Sequence, residues 1–215
     1  MWHYQHPLPG DLRLCCGPAN RGVAIHGELI YMATLDARLV ALNRADGSVA
    51  WQVDIGDHKV GYSATGAPLV VGDMVITGVG GGEYGAPGYV DAYDARTGKR
   101  LWRRLTIPAK GEPGNETWAG ESWKTGGGPT WATGSYDPEL NLILWPTGNP
   151  APDWDGDARL GDNLYTNSVI ALKPDDGEIV WHFQFTPHDV WDFDATNGLI
   201  VADLDLENGK NGSAV

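Results

Sequence analysis

Three segments of this chain repeat one pattern, and that repeat limits the folds open to it. They are Ala41–Trp51 (ALNRADGSVAW), Ala92–Trp102 (AYDARTGKRLW) and Ala171–Trp181 (ALKPDDGEIVW). Each opens on Ala, continues with Leu or Tyr, and passes through a polar stretch ending in Asp-Gly or Thr-Gly. Each then reaches Trp ten residues after the Ala. Asp-Gly and Thr-Gly between apolar runs are the chemistry of tight hairpins. The predicted strand pairs are Val40–Leu42 with Val49–Val53, Val90–Tyr93 with Arg100–Arg103, and Val169–Leu172 with Ile179–Phe183.

Further strand candidates lie between the hairpins: Gly27–Thr34, Pro68–Thr77 with its glycine break, Leu140–Trp145, and Gly198–Leu204 as the start of another unit. No segment of helical length keeps a 3.6-residue period without Gly or Pro. Trp51 and Trp102 are 51 residues apart, and Trp102 and Trp181 are 79 apart. Units of about 40–50 residues with four strands each are the signature of a β-propeller. The excess in the second interval falls around Thr106–Gly134. Each repeated Trp is expected to pack between neighbouring blades, so Trp51, Trp102 and Trp181 are structural. Closed propellers need roughly four to eight blades. Residues 1–215 are therefore expected to form a single, partial propeller domain, truncated at both ends, with Asp203–Val215 in a Gly- and Asn-rich loop.

Composition agrees. Gly (30) and Pro (14) make a fifth of 215 residues, which fits many turns. Net charge is −13, which argues against nucleic acid as a partner. No run of about 18 apolar residues is present to span a membrane, and Met1–His6 does not read as a signal peptide.

The only cysteines, Cys15 and Cys16, are adjacent. Disulfides usually join Cα atoms roughly 4.4–6.8 Å apart, whereas neighbours across a trans peptide are about 3.8 Å apart. A strained vicinal disulfide and two free buried thiols both remain open from the pair alone. The former needs an oxidising compartment, and the missing export signal is then explained if the chain is a piece of a longer protein.

Several other segments fall outside the hairpin pattern. Gly80–Gly85 (GGGEYG) follows a strand, so its backbone can approach a ligand closely and Glu83 offers a carboxylate. Taken alone, it is more simply a Gly-rich turn. Gly126–Trp131 (GGGPTW) can present an indole face to a planar ligand, or be an exposed loop. Asn149, in Pro146–Pro152, sits in a turn and offers a hard oxygen ligand. In Thr186–Asp194 (TPHDVWDFD), Asp192 and Asp194 are two residues apart, so on a strand they share a face. Two such carboxylates repel unless a cation or a shared proton lies between them. With Glu83 and Asn149 they make an all-oxygen set suited to a hard cation. No His or Cys spacing suits zinc, and His188 is expected to be a structural hydrogen-bonding residue.

Together, CCGPANRG (15–22), GGGEYG (80–85), WKTGGGPTW (123–131), TGNPAPDW (147–154) and TPHDVWDFDATN (186–197), with the three Trp repeats, resemble the quinoprotein alcohol dehydrogenases, which use pyrroloquinoline quinone (PQQ). The resemblance implies an all-β, eight-bladed propeller with about half of its blades in this chain. It also implies a periplasmic enzyme that oxidises primary alcohols by hydride transfer to the quinone and passes electrons to a cytochrome c. A homodimer of the intact protein is compatible with it. By motif, Cys15 and Cys16 correspond to a vicinal disulfide over one face of the quinone and Trp131 to the residue on the other face. Arg21 and Thr65 correspond to hydrogen bonds at its polar edge, and Gly81 and Gly82 to backbone beside it. Glu83, Asn149, Asp192 and Asp194 correspond to metal ligands, with Asp192 also the catalytic base. Asp194 matches the extra carboxylate of lanthanide-dependent members, so a lanthanide(III) is expected in preference to Ca²⁺.

The chain departs from that family in carrying Pro87 where many members have Arg, and it is expected to be an interior piece without the family's leader, first blade region and later blades. Two alternatives share the repeat: a non-enzymatic scaffold of the outer-membrane assembly type, and a PQQ-dependent sugar dehydrogenase. The first leaves the cysteines, Glu83, Asn149 and the Asp192/Asp194 pair unexplained. The adjacent cysteines argue against the second.

Overall fold

A computed structural model describes residues 1–206 and 210–214. Three four-stranded antiparallel meanders follow one another. The first is β1 (Ala24–His26), β2 (Leu29–Ala33), β3 (Arg38–Asn43) and β4 (Val49–Asp54). The second is β5 (Leu69–Val71), β6 (Met74–Gly78), β7 (Tyr89–Asp94) and β8 (Arg100–Leu105). The third is β9 (Ser135–Asp137), β10 (Leu142–Pro146), β11 (Ser168–Leu172) and β12 (Ile179–Gln184). No α-helix occurs among the described residues, only short 3₁₀ turns. These are propeller blades, and the fold is all-β as the repeat predicts.

The repeat turns are wider than two-residue hairpins. In the first, the Asn43 and Gly47 amides donate to the Ser48 and Asn43 carbonyls at 2.8 Å each. A register shift between Ala41 and Leu42 recurs between Ala92 and Tyr93 and between Ala171 and Leu172. The turn glycines Gly47, Gly98 and Gly177 all have left-handed φ of 70–76°, a region where a side chain is strained.

Their second role joins the blades. The Trp102 indole lies over Gly177, where an added Cβ would stand 2.6 Å from Cε3, and its Nε1 donates to the Pro174 carbonyl at 2.7 Å. Trp51 treats Gly98 the same way, donating to Ala95 at 3.1 Å. Trp2 repeats the contact at Gly47 and donates to Arg44 at 2.9 Å, a fourth member of the series that lacks the Ala-to-Trp pattern. The apolar cores lie in these seams. One cluster packs Tyr31, Leu39 and Ala41 with Val75, Tyr89 and Tyr93; a second packs Ile76, Val90 and Trp102 with Ile143, Trp145 and Ile170.

Two local expectations change. The segment after Asp203 is not a loop throughout: Ala202–Leu206 (β13) pairs with Lys210–Ala214 (β14), while residues 207–209 and Val215 lie outside the described residues. Asp192 and Asp194 are not on a strand. Their segment is irregular, with φ of 62° and 45°, so a shared strand face does not bring them together.

Candidate functional site

Antiparallel meanders put alternate connections at opposite ends of a blade. The Trp-docked turns β3–β4, β7–β8 and β11–β12 occupy one end. The β4–β5, β6–β7, β8–β9, β10–β11 and β12–β13 loops occupy the other, and they build a cleft of about 400 Å³ together with the N-terminal segment. Its lining includes Cys15, Cys16, Arg21, Thr65, Gly81, Glu83, Trp131, Asp192 and Asp194. The cleft thus gathers nine of the eleven residues singled out in the sequence. The remaining two, Gly82 and Asn149, are buried immediately behind it.

Backbone pairing holds these loops together. Ser63 bridges Gly80 and Gly127 bridges Pro150. Gly81 has φ of 122°, and a Cβ there would stand 2.7 Å from the Gly61 carbonyl oxygen, so only glycine lets the two loops meet. Gly82 packs against the Pro129 ring. Glu83 then sits in the middle of a short 3₁₀ turn, Gly82–Tyr84, exposed to the cleft.

Cys15 and Cys16 are joined by a disulfide, and their sulfurs lie within 4.8 Å of the Glu83 carboxylate. The Arg21 guanidinium stacks 4.6 Å from the centroid of the Trp131 ring, and the Arg21 amide donates to the Thr65 carbonyl at 3.0 Å. The Trp131 indole donates to Asp194 Oδ2 at 3.2 Å, and the Asn149 amide donates to Asp194 Oδ1 at 2.9 Å.

Three residues with no role assigned from sequence shape this arrangement. Asp189 is fully buried and fastens the acidic loop: its carboxylate accepts from the Trp191 and Phe193 amides at 2.9 Å each and from Asn167 Nδ2. Arg159, also fully buried, donates to the carbonyls of Pro152, Asp153 and Asp189, tying the β10–β11 loop to the β12–β13 loop. Asp153 lines the cleft and accepts from Asn149 Nδ2 at 2.7 Å. Asp153 and Asp189 stand inside the quoted motifs, but nothing in their spacing separates them from their acidic neighbours. A lone Arg reads as a surface charge until the chain closes over it. His188 is structural, its Nδ1 2.8 Å from the Gly161 carbonyl.

The electrostatics of the cleft are one-sided. Loss of hydration pushes the Glu83 carboxyl up, and Asp194 and Asp192 add to it. Loss of hydration also raises Asp194, with Asp192 and Asp153 adding and the Asn149 amide and Trp131 opposing. Asp192 is raised by the same loss and by Asp189. Asp153 is pushed up to about 6 by burial, Asp192 and Glu83, against Asn149 and Arg159. Four mutually repelling carboxylates with an amide oxygen nearby are a donor set for a hard cation, and a cleft walled by an indole and a disulfide can take a flat ligand.

Comparison with known proteins agrees with the fold. The family model described as "PQQ: Glucose/ethanol/alcohol dehydrogenase, beta-propeller domain" matches residues 2–215. The chain is 50% identical over 216 residues to the quinoprotein alcohol dehydrogenase PedH of Pseudomonas putida, spanning 93% of this chain and 36% of that protein. It is 40% identical over 215 residues to the lanthanide-dependent methanol dehydrogenase of Methylacidiphilum fumariolicum, spanning 91% of this chain and 35% of that protein. Among solved structures, a europium-containing methanol dehydrogenase superposes with a TM-score of 0.86 at 40% identity, over 91% of this chain and 37% of the other. The chain thus spans little more than a third of the length of these relatives. It belongs to the PQQ-dependent glucose/ethanol/alcohol dehydrogenase β-propeller family.

Proposed function

We propose that this chain forms part of the propeller of a PQQ-dependent alcohol dehydrogenase that oxidises primary alcohols to aldehydes in the periplasm. The observation that carries the reading is the cleft itself, where Glu83, Asp153, Asp192 and Asp194 meet beside Trp131 and the Cys15–Cys16 disulfide.

Glu83, Asn149, Asp192 and Asp194 would hold the cation. Their repulsion and lost hydration are relieved by bound positive charge, and four carboxylates, Asp153 included, favour a lanthanide(III) over Ca²⁺. Cys15, Cys16 and Trp131 would wall the quinone. Arg21 and Thr65 would bond its polar edge, and Gly81 and Gly82 keep side chains away from it. When bound, the quinone supplies hydride-accepting chemistry and the cation supplies a Lewis acid.

Asp192 is the general base of this scheme. It is exposed to the cleft, and its raised pKa makes its carboxylate a better acceptor of the alcohol's hydroxyl proton. The buried Asp189 keeps the loop carrying Asp192 in place. Electrons leave to a cytochrome c, and the blades that complete the propeller belong to the longer protein.

The test is binding followed by turnover. Titrating PQQ with lanthanum into the chain should quench tryptophan fluorescence, and calcium should support weaker quenching. In the longer protein, alcohol-dependent reduction of cytochrome c should be lost in Asp192→Asn. An absence of quenching with either ion, or full turnover in Asp192→Asn, overturns the reading.

A further inference from the structure

Asn149 is held by its backbone on both sides. Its amide donates to Asp194 at 2.9 Å and its carbonyl accepts from the Gly128 amide at 2.9 Å. Those bonds fix where the residue sits but not which way its side-chain amide faces. That choice falls to Asp153, whose Oδ1 takes Asn149 Nδ2 at 2.7 Å; the other contact of Nδ2, to the Pro150 carbonyl, is long at 3.5 Å. An amide with its NH₂ committed to a carboxylate presents its oxygen to whatever else approaches. Asp153 in turn does not drift, because buried Arg159 donates to its carbonyl at 2.8 Å and to that of Pro152 at 2.9 Å. Its carboxylate faces the same cleft as Glu83, Asp192 and Asp194.

We propose that Asp153 is a positioning residue of the cation site: it holds Nδ2 of Asn149, which leaves the amide oxygen for the cation, and its charge biases the site toward trivalent ions. The inference rests on the cation-site reading above. Groups that orient a metal ligand through a hydrogen bond change metal affinity by about 10–100-fold. A negative charge near the ion, within hydrogen-bonding reach of one of its ligands, favours a triply charged ion over a doubly charged one in proportion to their charges.

The experiment uses terbium(III) with the 215-residue chain, reading tryptophan-sensitised luminescence, with calcium as competitor. No enzymatic turnover is required. Asp153→Ala, which removes both the acceptor and the charge, should weaken terbium binding by about 10–100-fold. Asp153→Asn keeps an oxygen for Asn149 Nδ2 and loses only the charge. It should retain more affinity than Asp153→Ala, yet bind terbium over calcium with a lower ratio than wild type. Circular dichroism checks folding, and the near-isosteric Asp153→Asn carries the test if Asp153→Ala does not fold. A merely structural role for Asp153 would weaken both ions alike and leave their ratio unmoved. That outcome overturns the proposal, as does unchanged terbium affinity in Asp153→Ala. Glu83→Gln separates this inference from the site reading. If wild type binds terbium and Glu83→Gln does not, an unchanged Asp153 variant overturns the role of Asp153 alone. If wild type fails to bind, or Glu83→Gln binds as wild type does, the cation site falls and Asp153 with it.

Discussion

The seams between blades and the cleft at their far ends use the same residue types to opposite effect. In the first seam, fully buried Asp91 meets a bidentate Arg103, with Nε 2.7 Å from Oδ1 and Nη2 2.6 Å from Oδ2, while the guanidinium also covers the Tyr89 ring at 3.5 Å. Buried Asp36 loses hydration, but Thr34 at 2.6 Å and His6 at 3.0 Å outweigh that loss and leave its pKa lowered. Across the cleft, Glu83, Asp153, Asp192 and Asp194 are all raised. The tryptophans divide similarly. Trp102 is closed over a turn glycine with its Nε1 bound to a carbonyl, whereas Trp131 is half-buried and shows its ring to the cleft. Buried acids matched from within the chain belong to architecture; the cleft acids instead face one another, and each is raised rather than lowered.

The largest expected effect lies in the seam. Trp102→Ala should cost about 3–5 kcal/mol of stability by urea denaturation, the range for emptying a large buried aromatic site. Trp131→Ala should cost distinctly less, and equal losses would break the distinction between the two tryptophans. Arg103→Ala strands the buried Asp91 charge and should cost about 3–5 kcal/mol. Its failure to do so would mean that Asp91 is not balanced by this pair.

Gly177→Ala tests the turn, where left-handed backbone alone costs an L-residue about 1–2 kcal/mol and the Cβ also meets Trp102. The urea midpoint should fall, and it should fall less once Trp102 is already Ala, because the two share a contact.

The pH profile sharpens the contrast. Asp153 has a folded pKa of about 6, above its ordinary carboxylate value, so it weakens the cation-free fold at neutral pH. That deficit is complete above about 6 and is relieved as pH falls through it toward the unfolded value, because the folded state takes up the proton first. Relative to Asp153→Asn, wild type should therefore gain stability on acidification from pH 7 to about 5. Lanthanum should abolish the gain. Asp36, with its lowered pKa, has the opposite sign: its contribution is present above the ordinary carboxylate value and is lost as pH falls through the folded one. A stability difference between wild type and Asp153→Asn that does not change with pH would show that the Asp153 carboxyl is not raised in the fold. The smallest effect is Glu83→Gln, which should leave cation-free stability unchanged or slightly higher while cation binding is lost, since Glu83 has no basic partner among the described residues.

The blades were legible in the chain because their signals are local and periodic. Ala41, Asp46, Gly47 and Trp51 lie within one hairpin, and the same spacing at Ala92–Trp102 and Ala171–Trp181 reports a unit that must stack on its neighbours. The composition of the cleft was legible too, because Cys15, Cys16, Glu83, Trp131, Asn149, Asp192 and Asp194 stand in motifs that the hairpins do not require. Trp2 was not, since no Ala-to-Trp pattern leads up to it in the sequence.

Distance and direction belonged to the tertiary structure. Arg159 is an isolated basic residue until folding buries it and hands its donors to Pro152, Asp153 and Asp189, as many as thirty positions along the chain. Asp192 and Asp194 read as strand neighbours, but left-handed backbone and the buried Asp189 carboxylate set their placement. Asp153 meets the side chain of an Asn149 whose backbone is bonded to Asp194 and Gly128. Local periodicity determines which elements form, because strand and turn preferences act over a few residues. The meeting of carboxylates from three loops depends on chain closure over long separations, which no local pattern encodes.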